Sequence, residues 1–139
     1  MFTLDPRLEQ DTILIGEFPL SNVLLMNDAR YPWVILVPRV TGVTEVFQLN
    51  NEQQQQLLIE TNFVAKALKN LVQADKMNTA ALGNVVSQLH IHHIARYQSD
   101  EAWPGPVWGK GKAIPYSEQE SHTVCQQIKL VFVDLLNDG

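Results

Sequence analysis

Cys125 is the only cysteine in this chain of 139 residues. No internal disulfide framework can form, and the usage fits a reducing compartment. Charge is also sparse, with 18% Asp, Glu, Lys and Arg and a formal net charge of −5. The sign is wrong for bulk attraction to a polyanion, so nucleic acid is not an expected partner. Any phosphate must be gripped locally, by backbone amides, His or Arg. No stretch approaches the roughly 20 apolar residues that span a bilayer. The start, MFTLDPRLEQD, lacks the basic segment and apolar run of a secretory leader, so neither membrane nor export is expected. Internal repeats and linkers are missing too. What is present is 45% apolar residues, enough to build a core at the size of one domain. The expectation is a cytoplasmic chain folded as a single domain over residues 1–139.

Order is predicted to begin near DTILIGEFPL, where Ile13 and Ile15 alternate before Pro19. Two β-rich runs follow, Val23–Met26 and Trp33–Val37, separated by Asn27-Asp28-Ala29-Arg30. Asn-Asp is good turn chemistry, and Pro38 ends the second run because it lacks a ladder amide, so the pair reads as an antiparallel hairpin. A helix is predicted next, with Asn50 as N-cap and Gln53 completing a capping box. Its apolar stripe is Leu57, Thr61, Val64, Leu68 and Leu71. A second capping box, Ser117 with Glu120, opens a helix carrying Cys125, Ile128, Val131 and Leu135 to the end of the chain. Between them lie the β-rich run NVVSQLHIHHIAR and the loop DEAWPGPVWGKGKAIPYS, whose prolines and glycines exclude regular structure. Strands, helix, strands, helix with antiparallel hairpins make an α+β class with two helices.

The stretch SQLHIHHIAR holds three of the four histidines. In a strand, alternate side chains share a face. Gln88, His90, His92, Ile94 and Arg96 then point one way, and Leu89, Ile91, His93 and Ala95 the other. Three readings stay open on residue types alone. A zinc site needs three or four ligands, and only His122 lies outside this run to help His90 and His92. The two could be buried imidazoles satisfied by backbone. Or one imidazole attacks phosphorus while the other supports it, since neutral imidazole is nucleophilic near pH 7 and departs again readily.

The run ALGNVVSQLHIHHIAR resembles the motif of the histidine triad (HIT) family of nucleotide hydrolases and transferases. Gly83-Asn84-Val85-Val86 takes the family's Gly-Gln-Ser/Thr-Val approach, and Gln88-Leu89-His90-Ile91-His92-His93-Ile94 takes the triad. LLMNDARYPWVILVPR resembles the family hairpin, and GVTEVFQLNNEQ its lead into the first long helix. The likeness runs from about Ser21 to Arg96. It departs from the pattern at Gln88, the first triad histidine, at His93, an apolar position, and at Asn84 and Val85. Trp33 also replaces a hairpin histidine.

The resemblance implies a HIT-like antiparallel sheet and assigns roles. His90 would be the nucleophile, His92 would contact the phosphate or leaving group, and Gln88 would orient the site without titrating. Asn27 would reach the ribose, with Asn78, Asn84 and Arg96 as further substrate contacts. The substrate would be a dinucleoside polyphosphate or nucleoside phosphoramidate. No metal is required for the covalent step, though Mg²⁺ would accompany a polyphosphate. A homodimer is implied. The alternative is a nucleotide-binding or regulatory protein that keeps the fold and has lost efficient turnover. Trp103 and Trp108 could cover a base or seal a dimer interface, but in a Pro/Gly loop they read first as packing anchors. His93 faces away from the site, so His93→Val is expected to be tolerated or mildly stabilising.

Overall fold

The computed structural model describes residues 1–137. Its first element is a short helix ahead of the predicted start of order, α1 (Pro6–Asp11). The local signal is clear in retrospect. The Asp5 side chain accepts from the Arg7 amide at 2.8 Å, and Pro6 takes the first helical position, where a missing N–H costs nothing.

Strands β1 (Thr12–Glu17), β2 (Ser21–Met26) and β3 (Trp33–Pro38) then form a meander. A 3₁₀ turn, Val46–Gln48, leads into α2 (Asn51–Val72). Strands β4 (Lys76–Ala80) and β5 (Ile91–Arg96) precede α3 (Glu118–Phe132). The five strands make one sheet in the order β1-β2-β3-β5-β4, every neighbouring pair antiparallel. The expected α+β class and antiparallel sheet are present, with short α1 as a third helix.

Both predicted capping boxes form. Asn50 accepts from Gln53 and Ser117 from Glu120, and each glutamine or glutamate returns a bond to the cap amide. The C-terminal helix stops at Phe132 rather than running to the end, although Leu135 and Leu136 still pack on the core. Residues 138–139 lie outside the described ones.

The period-2 alternation of the strands sorts their side chains into two layers. Val23, Leu25, Val34, Leu36 and Ala95 face α2 and α3, where Val64, Leu68, Cys125, Ile128 and Phe132 meet them. Leu24, Trp33, Ile35, Val37 and Ile94 face the other way. That second layer is roofed by Phe2, Leu4 and Leu8 of the N-terminal segment and by Val107 and Trp108 of the long loop. Strand β3 is therefore covered on both faces, which is why WVILV reads as an unbroken apolar run. The loop roof is fastened by charge. Arg30 bonds Asp28, Glu101 and the Lys110 carbonyl, and Asp28 accepts from the Ile114 amide at 3.3 Å.

Candidate functional site

The predicted alternation holds on β5 and just before it. Regular strand begins only at Ile91, so Gln88, Leu89 and His90 belong to the irregular approach. His92 and Ile94 nonetheless share the layer away from the long helices, while His93 and Ala95 face α2. His90 and His92 stand together, their rings edge to face at 4.8 Å between centroids. Both side chains are buried.

The hydrogen bonds fix opposite tautomers on the two rings. His90 Nδ1 lies 2.7 Å from the Gln88 carbonyl. A carbonyl can only accept, so Nδ1 carries the proton and Nε2 keeps its lone pair. His92 is set the other way. The Trp33 indole N–H donates to His92 Nδ1 at 3.0 Å, which leaves the ring proton on Nε2. That Nε2 is buried and finds no hydrogen-bond partner among the described residues. Burial, then the neighbouring His90, pulls the His92 pKa down to about 4. The Leu82 carbonyl opposes the shift from outside hydrogen-bond geometry. His92 is a neutral N–H donor at pH 7.

Two cavities meet at His90. The apolar one, about 390 Å³, is lined by Leu8, Met26, Val86, His92 and Trp108, with Arg7 and Asp11 also on its wall. The polar one, about 400 Å³, is lined by Thr44, Glu45, Gly83, Ser87 and Gln88. His90 and Asn84 line both. Gly83 is needed at its position, because a Cβ there would come within 2.7 Å of the Val86 carbonyl oxygen.

The other predicted site residues bond to groups away from the histidine pair. Arg96 is fully buried, with two bonds to Asp100 at 2.8 and 2.9 Å and one to Asn78 Oδ1 at 2.8 Å. Its guanidinium holds the Asp100 carboxyl down at about 2. Arg96 and Asn78 thus satisfy each other as a strut between β4, β5 and the long loop. Asn27 Oδ1 accepts from the Tyr116 amide at 2.9 Å and ties the hairpin turn to the start of α3. The Gln88 side chain bonds the N-terminal segment. His93, expected to stand where an apolar residue would, is a satisfied core histidine. Its Nδ1 donates to the Val34 carbonyl at 3.2 Å and its Nε2 meets the Thr61 hydroxyl.

Two residues were missed as site residues. Trp33 supplies the donor that sets His92, and Trp108 packs edge-on against His92 at 5.1 Å and against Trp33 at 6.1 Å. Trp33 had a signal, the departure from the hairpin histidine. Trp108 had only its place as a large aromatic in the Pro/Gly loop, and the folded loop is what brings it to the strand. Among the described residues no three His, Cys, Asp or Glu side chains are grouped to hold a metal ion.

Residues 7–99 match the family described as HIT domain. A histidine triad protein from Marinobacter aquaeolei is 52% identical over 97% of this chain and 98% of its own, with a TM-score of 0.95. One from Sinorhizobium meliloti is 52% identical over 94% and 96%, with a TM-score of 0.92. The diadenosine triphosphate hydrolase of Plasmodium falciparum shares the fold at 16% identity, over 96% of this chain and 80% of its own, with a TM-score of 0.62. No curated protein matches the sequence.

Proposed function

The chain belongs to the HIT domain family, and from that premise and the geometry around His90 we propose a nucleotide hydrolase or nucleotidyl transferase. It acts at the α-phosphate of a dinucleoside polyphosphate or nucleoside phosphoramidate. The observation that carries the reading is the pair of opposite tautomers where an apolar and a polar cavity meet. One ring offers a lone pair and the other an unpaired N–H, which is what attack on a phosphate requires. The fold relative that hydrolyses diadenosine triphosphate supports the polyphosphate class.

The nucleoside sits in the apolar cavity against Trp108, Met26 and Leu8, and the leaving group in the polar one. His90 Nε2 attacks the α-phosphorus, forming a P–N bond while the bond to the leaving group breaks. The imidazole turns cationic as it does so, and the Gln88 carbonyl on Nδ1–H stabilises that charge. His92 Nε2–H donates to the phosphate oxygens as they gain charge. Water then attacks the nucleotidyl-histidine, the P–N bond breaks, and His90 recovers its lone pair. A polyphosphate substrate would bring Mg²⁺ on its own phosphates, with none required for the covalent step. Asn84 lines both cavities, and the reading assigns it a polar contact to the substrate.

A second reading, a binding or regulatory protein, is favoured by one observation: Gln88 gives its side chain to the N-terminal segment and none to chemistry. A panel of dinucleoside polyphosphates and nucleoside phosphoramidates separates the two. Turnover by the wild type that is lost in His90→Ala supports the enzyme. Tight AMP binding by calorimetry with no turnover on any substrate supports the second reading.

The proposal includes a homodimer. Strand β4 is the end of the sheet, and beside it a groove of about 440 Å³ is lined by Val46, Leu57, Leu58, Thr79 and Ile91. Leu58 is 59% exposed there. An open strand edge next to apolar surface is a template for a second copy.

A further inference from the structure

Both polar atoms of the Gln88 side chain are spent on the N-terminal arm. Oε1 accepts from the Asp5 amide at 2.9 Å, and Nε2 donates to the Thr3 carbonyl at 2.9 Å. The two bonds join positions 83 and 85 residues apart in the chain. A primary amide suits this task, because it ends in one acceptor and one donor side by side, matching a backbone N–H and C=O. The two nitrogens of an imidazole point apart around the ring and cannot grip the same stretch of backbone in that way.

The grip has a destination. Asp5 is the clamped amide and also the N-cap of α1. Helix α1 then presents Arg7, Leu8 and Asp11 to the cavity that holds His90, His92 and Trp108. Phe2 and Leu4 press the arm onto the sheet without directionality, and the Gln88 amide fixes its register. We infer that Gln88 is a positioning residue, which through the N-terminal arm holds α1 as a wall of the substrate cavity. The position where the resemblance places a triad histidine thereby sets substrate affinity rather than the rate of bond breaking. This rests on the apolar cavity being the nucleoside seat proposed above.

The side chain can be removed without touching the chemistry of His90, because the bond that sets its tautomer comes from the Gln88 backbone carbonyl. Gln88→Ala is therefore expected to raise KM about tenfold, as two hydrogen bonds are lost, while kcat changes less than about threefold. Removing the arm with both of its partner groups, residues 1–5, should raise KM similarly. In that truncated chain Gln88→Ala should add little, because the two changes remove one interaction. A fall in kcat at constant KM, or additive effects in the doubly altered chain, would overturn the inference. Hydrogen exchange at the Asp5 amide needs neither substrate nor turnover. Its acceleration in Gln88→Ala is expected even if the wild type proves inactive on every substrate, an outcome that would sink the enzyme reading alone. Exchange as slow as in the wild type would overturn the clamp.

Discussion

At the scale of single residues, the site depends on where two protons sit. Trp33 is the clearest case. It stands where the resemblance leads one to expect a histidine, and its indole N–H is a donor only, so it can hold His92 in just one tautomer. Trp33→Phe keeps most of the ring packing and deletes the donor. The expected result is a loss of about 10–100-fold in kcat, the scale seen when the partner that orients a metal-ligating imidazole is removed, with a small change in melting temperature. A kcat equal to the wild type would mean that His92 needs no orienting partner. Other single residues show the limit of motif reading. Arg96, Asn78 and Asn27 sit at promising sequence offsets, yet each is committed to another part of the protein, to Asp100, to Arg96 and to Tyr116 respectively. Sequence spacing places a side chain on a strand or turn but does not say which loop folds back to meet it.

At the scale of elements, what was legible were features whose cause is local. The capping residues Asn50 and Ser117, the hairpin and the alternation through β5 follow from neighbours in sequence, and the structure has them. The roof of the second layer was not legible, because the 97–116 loop has no period to read. Helix α1 is short enough that only its Asp-Pro start announced it. Strand β5 also alters one expectation. His93→Val breaks the bonds to Thr61 and Val34 inside the α2 layer, so it should cost about 1–3 kcal/mol rather than be neutral. Activity should survive, since the ring faces away from His90. Burial holds His93 at a pKa of about 4, and His92 lies there too, both below the ordinary 6.5. As pH falls from 6.5 to 4 the unfolded chain takes up these protons first, so stability drops across that window. Above 6.5 both states are neutral at these rings and nothing changes. Urea melts should therefore show a shallower acid loss for His93→Val than for the wild type. Parallel pH curves would contradict the burial argument.

At the scale of the whole molecule, one sheet separates two layers: the α2 and α3 face carries one core cluster, and the other face carries a second cluster beside which the proposed chemistry takes place. The open edge at β4 is proposed to be closed by a second copy. Leu58→Asp should then shift the sedimentation coefficient from dimer to monomer, and a wild type that sediments as a monomer at micromolar concentration would remove the dimer from the account. No helix among the described residues is long and apolar enough to cross a membrane. The central claim is covalent attack by His90 Nε2, and an alkaline denaturing quench with nucleotide labelled in the base meets it most directly. Wild-type protein should retain label on one peptide, Ile91 and its neighbours through His90, in an acid-labile P–N bond, and His90→Ala should retain none. Label that persists on His90→Ala, or turnover by the wild type with no trapped label at any quench time, would contradict it.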